Sequence, residues 1–166
     1  MPGNLDRFLW GARHFTSILA TVMMLLPGVP ALAQDTVDTS GTTITNGVLI
    51  YYAVLPAGLI RAYSANSPER RMHGGVPDGK HVHHLLVALF DAVTNERITD
   101  AAVTARITET GLGSETLTLE PFDAGGDITF GNYFEFGRAV PYRVEIDIVR
   151  PGGMAPITTQ FEYRHH

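Results

Sequence analysis

The sequence predicts an all-β fold, an immunoglobulin-like β-sandwich of about seven strands that follows an N-terminal signal peptide. Three observations support this prediction: short segments alternate apolar with polar residues, glycine- and proline-rich turns separate them, and no amphipathic helix pattern follows residue 33. A small barrel is the alternative arrangement of such strands. The 166-residue chain is long enough for one domain with a core of its own.

Two segments show the strand patterns most clearly. In residues 142–148 every second residue is apolar and the residues between them are charged, which is typical of a strand with one buried face. Residues 81–91 (HVHHLLVALFD) are apolar on both faces beyond His84, which is typical of a central strand. Further strands are predicted at residues 48–55, 103–108, 115–119, 128–136 and 157–165.

Two segments are predicted to connect strands. Residues 64–80 (SANSPERRMHGGVPDGK) contain prolines, glycines and short polar residues, so we expect a long loop. A loop of this length in a compact domain is often functional, and this one ends at a histidine-rich strand. Residues 121–126 are predicted to be a shorter connection.

The N-terminal residues 1–33 are predicted to be a cleaved signal peptide. Arg7 and Arg13 precede an apolar stretch at residues 18–26, and Ala31 and Ala33 place small residues before the expected cleavage point. The apolar stretch is shorter than the roughly 20 residues that a membrane-spanning helix needs. We therefore expect a periplasmic or secreted protein without a membrane span after cleavage. It would have a flexible N-terminus at residues 34–46 and a β-sandwich domain at residues 47–166.

Composition narrows the possible functions. The chain has no cysteine, so disulfides cannot stabilise it and any metal must be bound by His, Met or carboxylate side chains. The formal net charge is −5 and no basic cluster is evident, which argues against nucleic acid as a partner. The nucleophile motif Gly-x-Ser-x-Gly is absent, and no other catalytic motif suggests an enzyme.

The histidine-rich segment predicts a metal site. His81 and His83 are two residues apart in a predicted strand, so their side chains lie on one face about 6.5–7 Å apart along the backbone. At this spacing two imidazoles can bind one ion, and we expect these two residues to be the primary ligands. The alternative is that the histidines belong to a solvated strand edge.

Additional ligands are expected from the neighbouring residues. Met72 and His73 lie in the preceding loop, where Gly74 and Gly75 allow the backbone to fold back over the strand, and His84 projects from the opposite face of the strand. A thioether favours Cu(I), whereas imidazole also suits zinc and iron, so copper is the leading candidate and the other two stay open. His165 and His166 are either further ligands or a polar tail.

Three short segments resemble exported immunoglobulin-type modules of the YtkA-like and FixH-like kind. The segments are residues 99–105 (TDAAVTA), 131–133 (GNY) and 141–146 (PYRVEI), within a similar stretch at residues 85–149. This resemblance implies a β-sandwich outside the cytoplasm and an association with copper delivery or oxidase assembly, but it implies no ligand residues. The segment from Met72 to His84 is also similar to periplasmic copper and iron transport proteins that bind metal through His and Met.

Together these observations predict an exported metal-binding protein, a copper chaperone or carrier that uses a His/Met cluster. Its partners would be the metal ion and an envelope protein that accepts the metal. The alternative is a non-enzymatic adhesion or assembly module, in which the sandwich edge or the 64–80 loop contacts another envelope protein.

Overall fold

A computed structural model describes residues 40–152 and 155–164 of the protein. These residues belong to one compact unit, Asp35–His166. The predicted signal peptide at residues 1–33, residues 34–39, and His165 and His166 lie outside the described residues. None of the helices in the described part of the chain has the length and apolarity that a membrane crossing requires.

The described domain is all-β, which confirms the predicted fold class. Its eight strands exceed the predicted number by one, and each pairs antiparallel with its neighbours. The strands are β1 Ser40–Thr45, β2 Val48–Pro56, β3 Val82–Asp91, β4 Ala102–Glu109, β5 Ser114–Asp123, β6 Ile128–Glu135, β7 Pro141–Val149 and β8 Ile157–Arg164.

The strands form a nearly closed sheet in the order β1-β2-β3-β6-β5-β4-β7-β8. Strand β5 changes partner along its length, because it pairs with β4 up to Leu119 and with β6 from Glu120 onward. This exchange divides the sheet into two layers, as in a sandwich whose strands switch sheets at a corner. Strands β2 and β8, which lie near the two ends of this strand order, also meet. Tyr52 of β2 stacks on Phe161 of β8, with ring centroids 3.8 Å apart.

Two boundaries differ from the sequence predictions. The expected flexible segment at residues 34–46 is ordered from Ser40, because β1 and β2 form a hairpin through Asn46 and Gly47, which have φ angles of 48° and 77°. Asn-Gly is the residue pair that such a two-residue turn favours. The connection predicted at residues 121–126 is also shorter, because β5 runs through Pro121 to Asp123 and pairs with β6 there.

The core lies between the two layers and contains the alternating apolar residues that the sequence indicates. In β7 all four residues predicted to face inward are buried, and in β3 the inward face begins with His83. His84 lies on the opposite face of β3, with Val82 and Leu86, since successive side chains of a strand alternate between its faces. This alternation separates the two neighbouring histidines.

The segment between β2 and β3 is more ordered than a plain loop. It contains two short helices, α1 Ala57–Arg61 and α2 Pro68–Arg71, followed by a single 3-10 turn, Met72–Gly74. Helix α2 begins with Pro68, and the hydroxyl of Ser67 accepts a hydrogen bond from the Arg70 backbone amide. The Tyr133 hydroxyl on β6 donates to the Glu69 carbonyl, so α2 packs over the outer face of the sheet.

Candidate metal site

His84 is fully buried on the outer face of the sheet, beneath the segment that connects β2 to β3. Its relative exposure is 0%, and its register partner on β6 is Tyr133. The two rings stack with centroids 4.5 Å apart, and Phe122 of β5 lies 5.8 Å from the imidazole. The sequence predicts that His84 projects from the face of the strand opposite to His83, and the structure shows this arrangement.

The His84 imidazole is buried and neutral. Neither Nδ1 nor Nε2 has a hydrogen-bond partner among the described residues, although both atoms are buried. Burial, and secondarily the charge of His73, lowers the pKa of His84 to about 3. The ring therefore carries no proton charge at neutral pH, and one of its nitrogens has a lone pair available to a cation.

A glycine on β6 makes room for this ring. A Cβ atom at position 131 would lie 2.6 Å from His84 Nε2 and 3.0 Å from the Leu85 carbonyl oxygen. Real side chains do not approach so closely, so a larger residue at this position would displace the imidazole or the backbone. The His84 ring thus occupies the place that a side chain at position 131 would take, in the interior of a strand where glycine is otherwise unfavourable.

A second imidazole reaches the same place from the connecting segment. His73 has a φ angle of 52° and is followed by Gly74 and Gly75, both with positive φ, so the chain turns sharply here. His73 Nε2 donates to the Gly131 carbonyl oxygen at 3.0 Å, and Nδ1 lies 3.0 Å from Glu120 Oε2. Both contacts are hydrogen bonds when the ring is doubly protonated and paired with the carboxylate.

The two imidazoles are close to the separation at which they can share a metal ion. Their centroids are 6.4 Å apart, and Nε2 of each ring lies beside Gly131. A copper or zinc ion bound at about 2.0 Å from each nitrogen requires centroids no more than about 6 Å apart. At least one of the two rings must therefore move before both can bind one ion.

Met72 lies beside His73 in the wall of an open cleft. The cleft has a volume of about 330 Å³, and its lining includes Arg71, Met72, His73, Glu120 and Phe122 but not His84. We call this space the outer cleft. Its donors are imidazole nitrogen, thioether sulfur and carboxylate oxygen, and this combination fits copper better than a hard cation such as magnesium.

His83, one of the two expected primary ligands, lies apart from this cluster, and His81, the other, precedes the first residue of β3. The His83 ring is on the inner face of β3, 5.3 Å from the ring of Phe136 and 5.8 Å from that of Tyr163. Its Nδ1 donates to the His81 carbonyl oxygen at 2.9 Å. Burial is the main cause of its lowered pKa, partly opposed by that hydrogen bond and reinforced by the charge of His81. A metal ion shared by His81 and His83 remains a prediction.

The described residues contain no ready-made site of three His, Asp or Glu ligands. The cluster of His73, His84 and Met72 with Glu120 therefore requires side-chain adjustment to bind an ion. Sequence reasoning identified three of these residues but missed Glu120 and Gly131. They adjoin the site because Glu120 is the register partner of Gly131 across β5 and β6, a pairing that no local pattern reveals.

The chain matches no family model, and no curated protein is significantly similar to it. Solved structures share its fold. A DUF4426 family protein from Pseudomonas aeruginosa has a TM-score of 0.62 and 14% identity, over 77% of this chain and 95% of that chain. A copper-bound variant of FetP from uropathogenic Escherichia coli has a TM-score of 0.56 and 18% identity, over 76% and 95%.

The copper-reconstituted P19 protein from Campylobacter jejuni also has a TM-score of 0.56, with 14% identity over 76% of this chain and 94% of that chain. At such identities these likenesses show a common fold. The structures named here are not described as YtkA-like or FixH-like, so that more specific resemblance remains a prediction.

Proposed function

We propose that this is an exported metal-handling protein, a copper chaperone or carrier, that binds one copper ion between His84 and His73 with Met72 as a third ligand. The observation that carries the proposal is the state of His84, a neutral, fully buried imidazole with no hydrogen-bond partner among the described residues, next to a second imidazole.

The unpartnered, buried ring of His84 has an energetic cost. A buried polar atom without a partner costs about 1–3 kcal/mol, and such groups are rare in native proteins. A purely structural residue at position 84 would avoid that cost by being apolar. A metal ion would bond to one of the two ring nitrogens and offset part of this cost. Metal binding would therefore explain why an imidazole is present at this position.

Charge compensation is present in the same cluster. The Glu120 carboxylate lies 3.0 Å from Nδ1 of His73. The ligand form of imidazole is neutral, so the two rings would not offset the charge of a bound ion. The Glu120 carboxylate would offset part of that charge.

Copper is the preferred ion for two reasons. The donors are histidine and methionine without cysteine, and a thioether is a soft ligand that favours Cu(I). Two of the structural neighbours are described as copper-bound or copper-reconstituted. Export rests on the predicted signal peptide. Carrier and chaperone have the same requirement, which is a site that both takes up and releases the ion.

Metal titration of two matched double variants tests the proposal. We expect His73→Ala/His84→Ala to lose copper binding by at least about tenfold, because both imidazole ligands are removed. His81→Ala/His83→Ala serves as the comparison, since it removes two histidines from the neighbouring positions. Copper(I), copper(II), zinc and iron(II) are titrated into each metal-free protein, and circular dichroism establishes that each variant is folded.

Three outcomes would contradict the proposal in different ways. Loss of binding in His81→Ala/His83→Ala alone would move the site to the pair expected from the sequence. Tighter binding of zinc or iron than of copper would change the ion. Absence of stoichiometric metal binding in the unaltered protein would leave the adhesion or assembly module as the remaining prediction.

A further inference from the structure

The burial of His84 depends on the segment that crosses the outer face of the sheet. The side chain of His84 is 0% exposed. The other outward-facing residues of β3 are only partly buried, and they are Val82, Leu86, Ala88 and Phe90. Residues 64–79, which we call the lid, bring the His73 ring to 6.4 Å from the His84 ring. The lid therefore covers His84, and a solute cannot reach the imidazole while the lid is in this position.

The lid is not part of the hydrophobic core. Residues 64–79 all belong to the described part of the chain, and none of them is buried. The outer cleft lies between the lid and β5, because its lining comes from lid residues between 68 and 73 and from residues 120–122 of β5. One side of the lid thus faces solvent instead of packing on the sheet. Segments with few buried apolar contacts open at a lower free energy than core strands.

Within the described residues, the polar contacts between the lid and the strands involve His73 and Glu69. His73 Nε2 lies 3.0 Å from the Gly131 carbonyl oxygen, and its Nδ1 lies 3.0 Å from Glu120 Oε2. The Tyr133 hydroxyl lies 3.5 Å from the Glu69 carbonyl oxygen, a long distance for a hydrogen bond. When the lid opens, water can replace the lost partner in each contact.

Both ends of the lid are fixed to the sandwich. Before the lid, Ile60 of α1 is buried, with 1% exposure. After it, the Phe136 backbone amide donates to the His81 carbonyl at 2.9 Å. Three glycines near the C-terminal end of the lid have positive φ angles: Gly74 (79°), Gly75 (119°) and Gly79 (136°). Glycine changes its backbone angles at little steric cost, so these positions can serve as a hinge.

We infer that the lid opens from the outer face of the sheet while the sandwich stays folded, and that this opening controls access to the His84 imidazole. In the open state water can hydrogen-bond to the two ring nitrogens, which lack partners among the described residues, and this offsets part of the cost of opening. The opening is a property of the metal-free protein. Its role in metal uptake rests on the proposed function, because an ion would reach His84 only through the open state.

Modification of the metal-free protein with diethyl pyrocarbonate tests this inference. The reagent acylates the nitrogen of a neutral imidazole, and tandem mass spectrometry locates the product. His83 is the control, because it is 3% exposed but lies on the inner face of β3. Relative to the unfolded chain, we expect His84 to react at least about tenfold faster than His83. Low concentrations of urea should leave the His84 rate unchanged, because a local opening exposes little surface.

A substitution at the hinge tests the same opening from the other side. Gly75→Ala places a Cβ at a φ angle of 119°, which strains the closed lid although the Cβ would have no atom within 4 Å. If opening relieves this strain, the His84 rate should rise by at least about fivefold. Gly113→Ala is the matched control, because its Cβ would also have no atom within 4 Å and its φ angle is not positive. It should leave the rate unchanged.

The outcomes separate the lid from the proposed function. Equal protection of His84 and His83, or the same urea dependence for both, would overturn the lid, because His84 would then react only through global unfolding. Equal His84 rates in Gly75→Ala and the unaltered protein would also overturn it. If His84 reacts as expected but copper does not bind, the proposed function fails and the lid remains. If copper binds Gly75→Ala no faster than it binds the unaltered protein, the lid does not control uptake.

Discussion

The metal-free His84→Leu variant should lose much of the acid sensitivity that we expect of the unaltered protein. In the folded state the pKa of His84 is lowered from 6.5 to about 3, and on unfolding it returns to the ordinary value. Between these values the unfolded chain binds a proton that the folded chain does not, so acid favours unfolding. This contribution to stability is fully present above pH 6.5 and is lost as the pH falls toward about 3.

The expected size of this effect is large for one residue. The shift corresponds to roughly 5 kcal/mol over the whole interval, and to about 3 kcal/mol between neutral pH and about pH 4. Urea unfolding at several pH values measures it directly. The unaltered protein should lose about 3 kcal/mol more than His84→Leu over that range. The shift of His83 has the same direction and remains in both proteins.

A second substitution at position 84 distinguishes the effect of protonation on stability from the effect of burying polar atoms. His84→Gln does not titrate either, but its amide keeps buried polar atoms. It should therefore lose the same pH dependence while remaining less stable than His84→Leu at neutral pH. Parallel pH profiles for all three proteins would mean that His84 does not titrate between the folded and unfolded states as described.

Gly131→Ala should both destabilise the fold and weaken copper binding. The added Cβ would lie 2.6 Å from His84 Nε2 and 3.0 Å from the Leu85 carbonyl, so the ring or the strand must move. Overpacking of this kind typically costs about 1–3 kcal/mol. Because Nε2 of both imidazoles lies beside Gly131, we expect the affinity for copper to fall by at least about tenfold.

Gly137→Ala is the matched control for this prediction. A Cβ there would have no atom within 4 Å, so the substitution should change neither stability nor affinity. Combining Gly131→Ala with His84→Ala removes the ring that the Cβ would meet, and part of the lost stability should return. A Gly131→Ala protein with unaltered stability and copper affinity would show that the absence of a side chain at position 131 is not required.

Much of the fold can be predicted from the sequence because its signals are local. The alternation in β7 and the two-sided apolar pattern of β3 identify buried strands, and the structure has both. The hairpin at Asn46 and Gly47 also carries a local signal, although the polar composition of residues 34–46 obscured it. The extension of β5 through Pro121 could not be predicted from local sequence. It depends on pairing with β6, which begins where the pairing with β4 ends.

The candidate site was predictable only in part for the same reason. The spacing of His81 and His83 indicates that they share a face, but it does not reveal that the inner face of β3 is occupied by aromatic rings. The association of His84 with His73 depends on how the connecting segment lies over the sheet. Glu120 and Gly131 reach the cluster through pairing between β5 and β6, which is a long-range property of the chain.

The most direct measurement of the central claim is anomalous diffraction from copper-loaded crystals at wavelengths on either side of the copper absorption edge. We expect one copper peak per chain beside Gly131, about 2.0–2.1 Å from Nε2 of His84 and of His73. A peak located instead between His81 and His83, or His84 nitrogens that stay unbound in crystals whose copper content is stoichiometric, would contradict it.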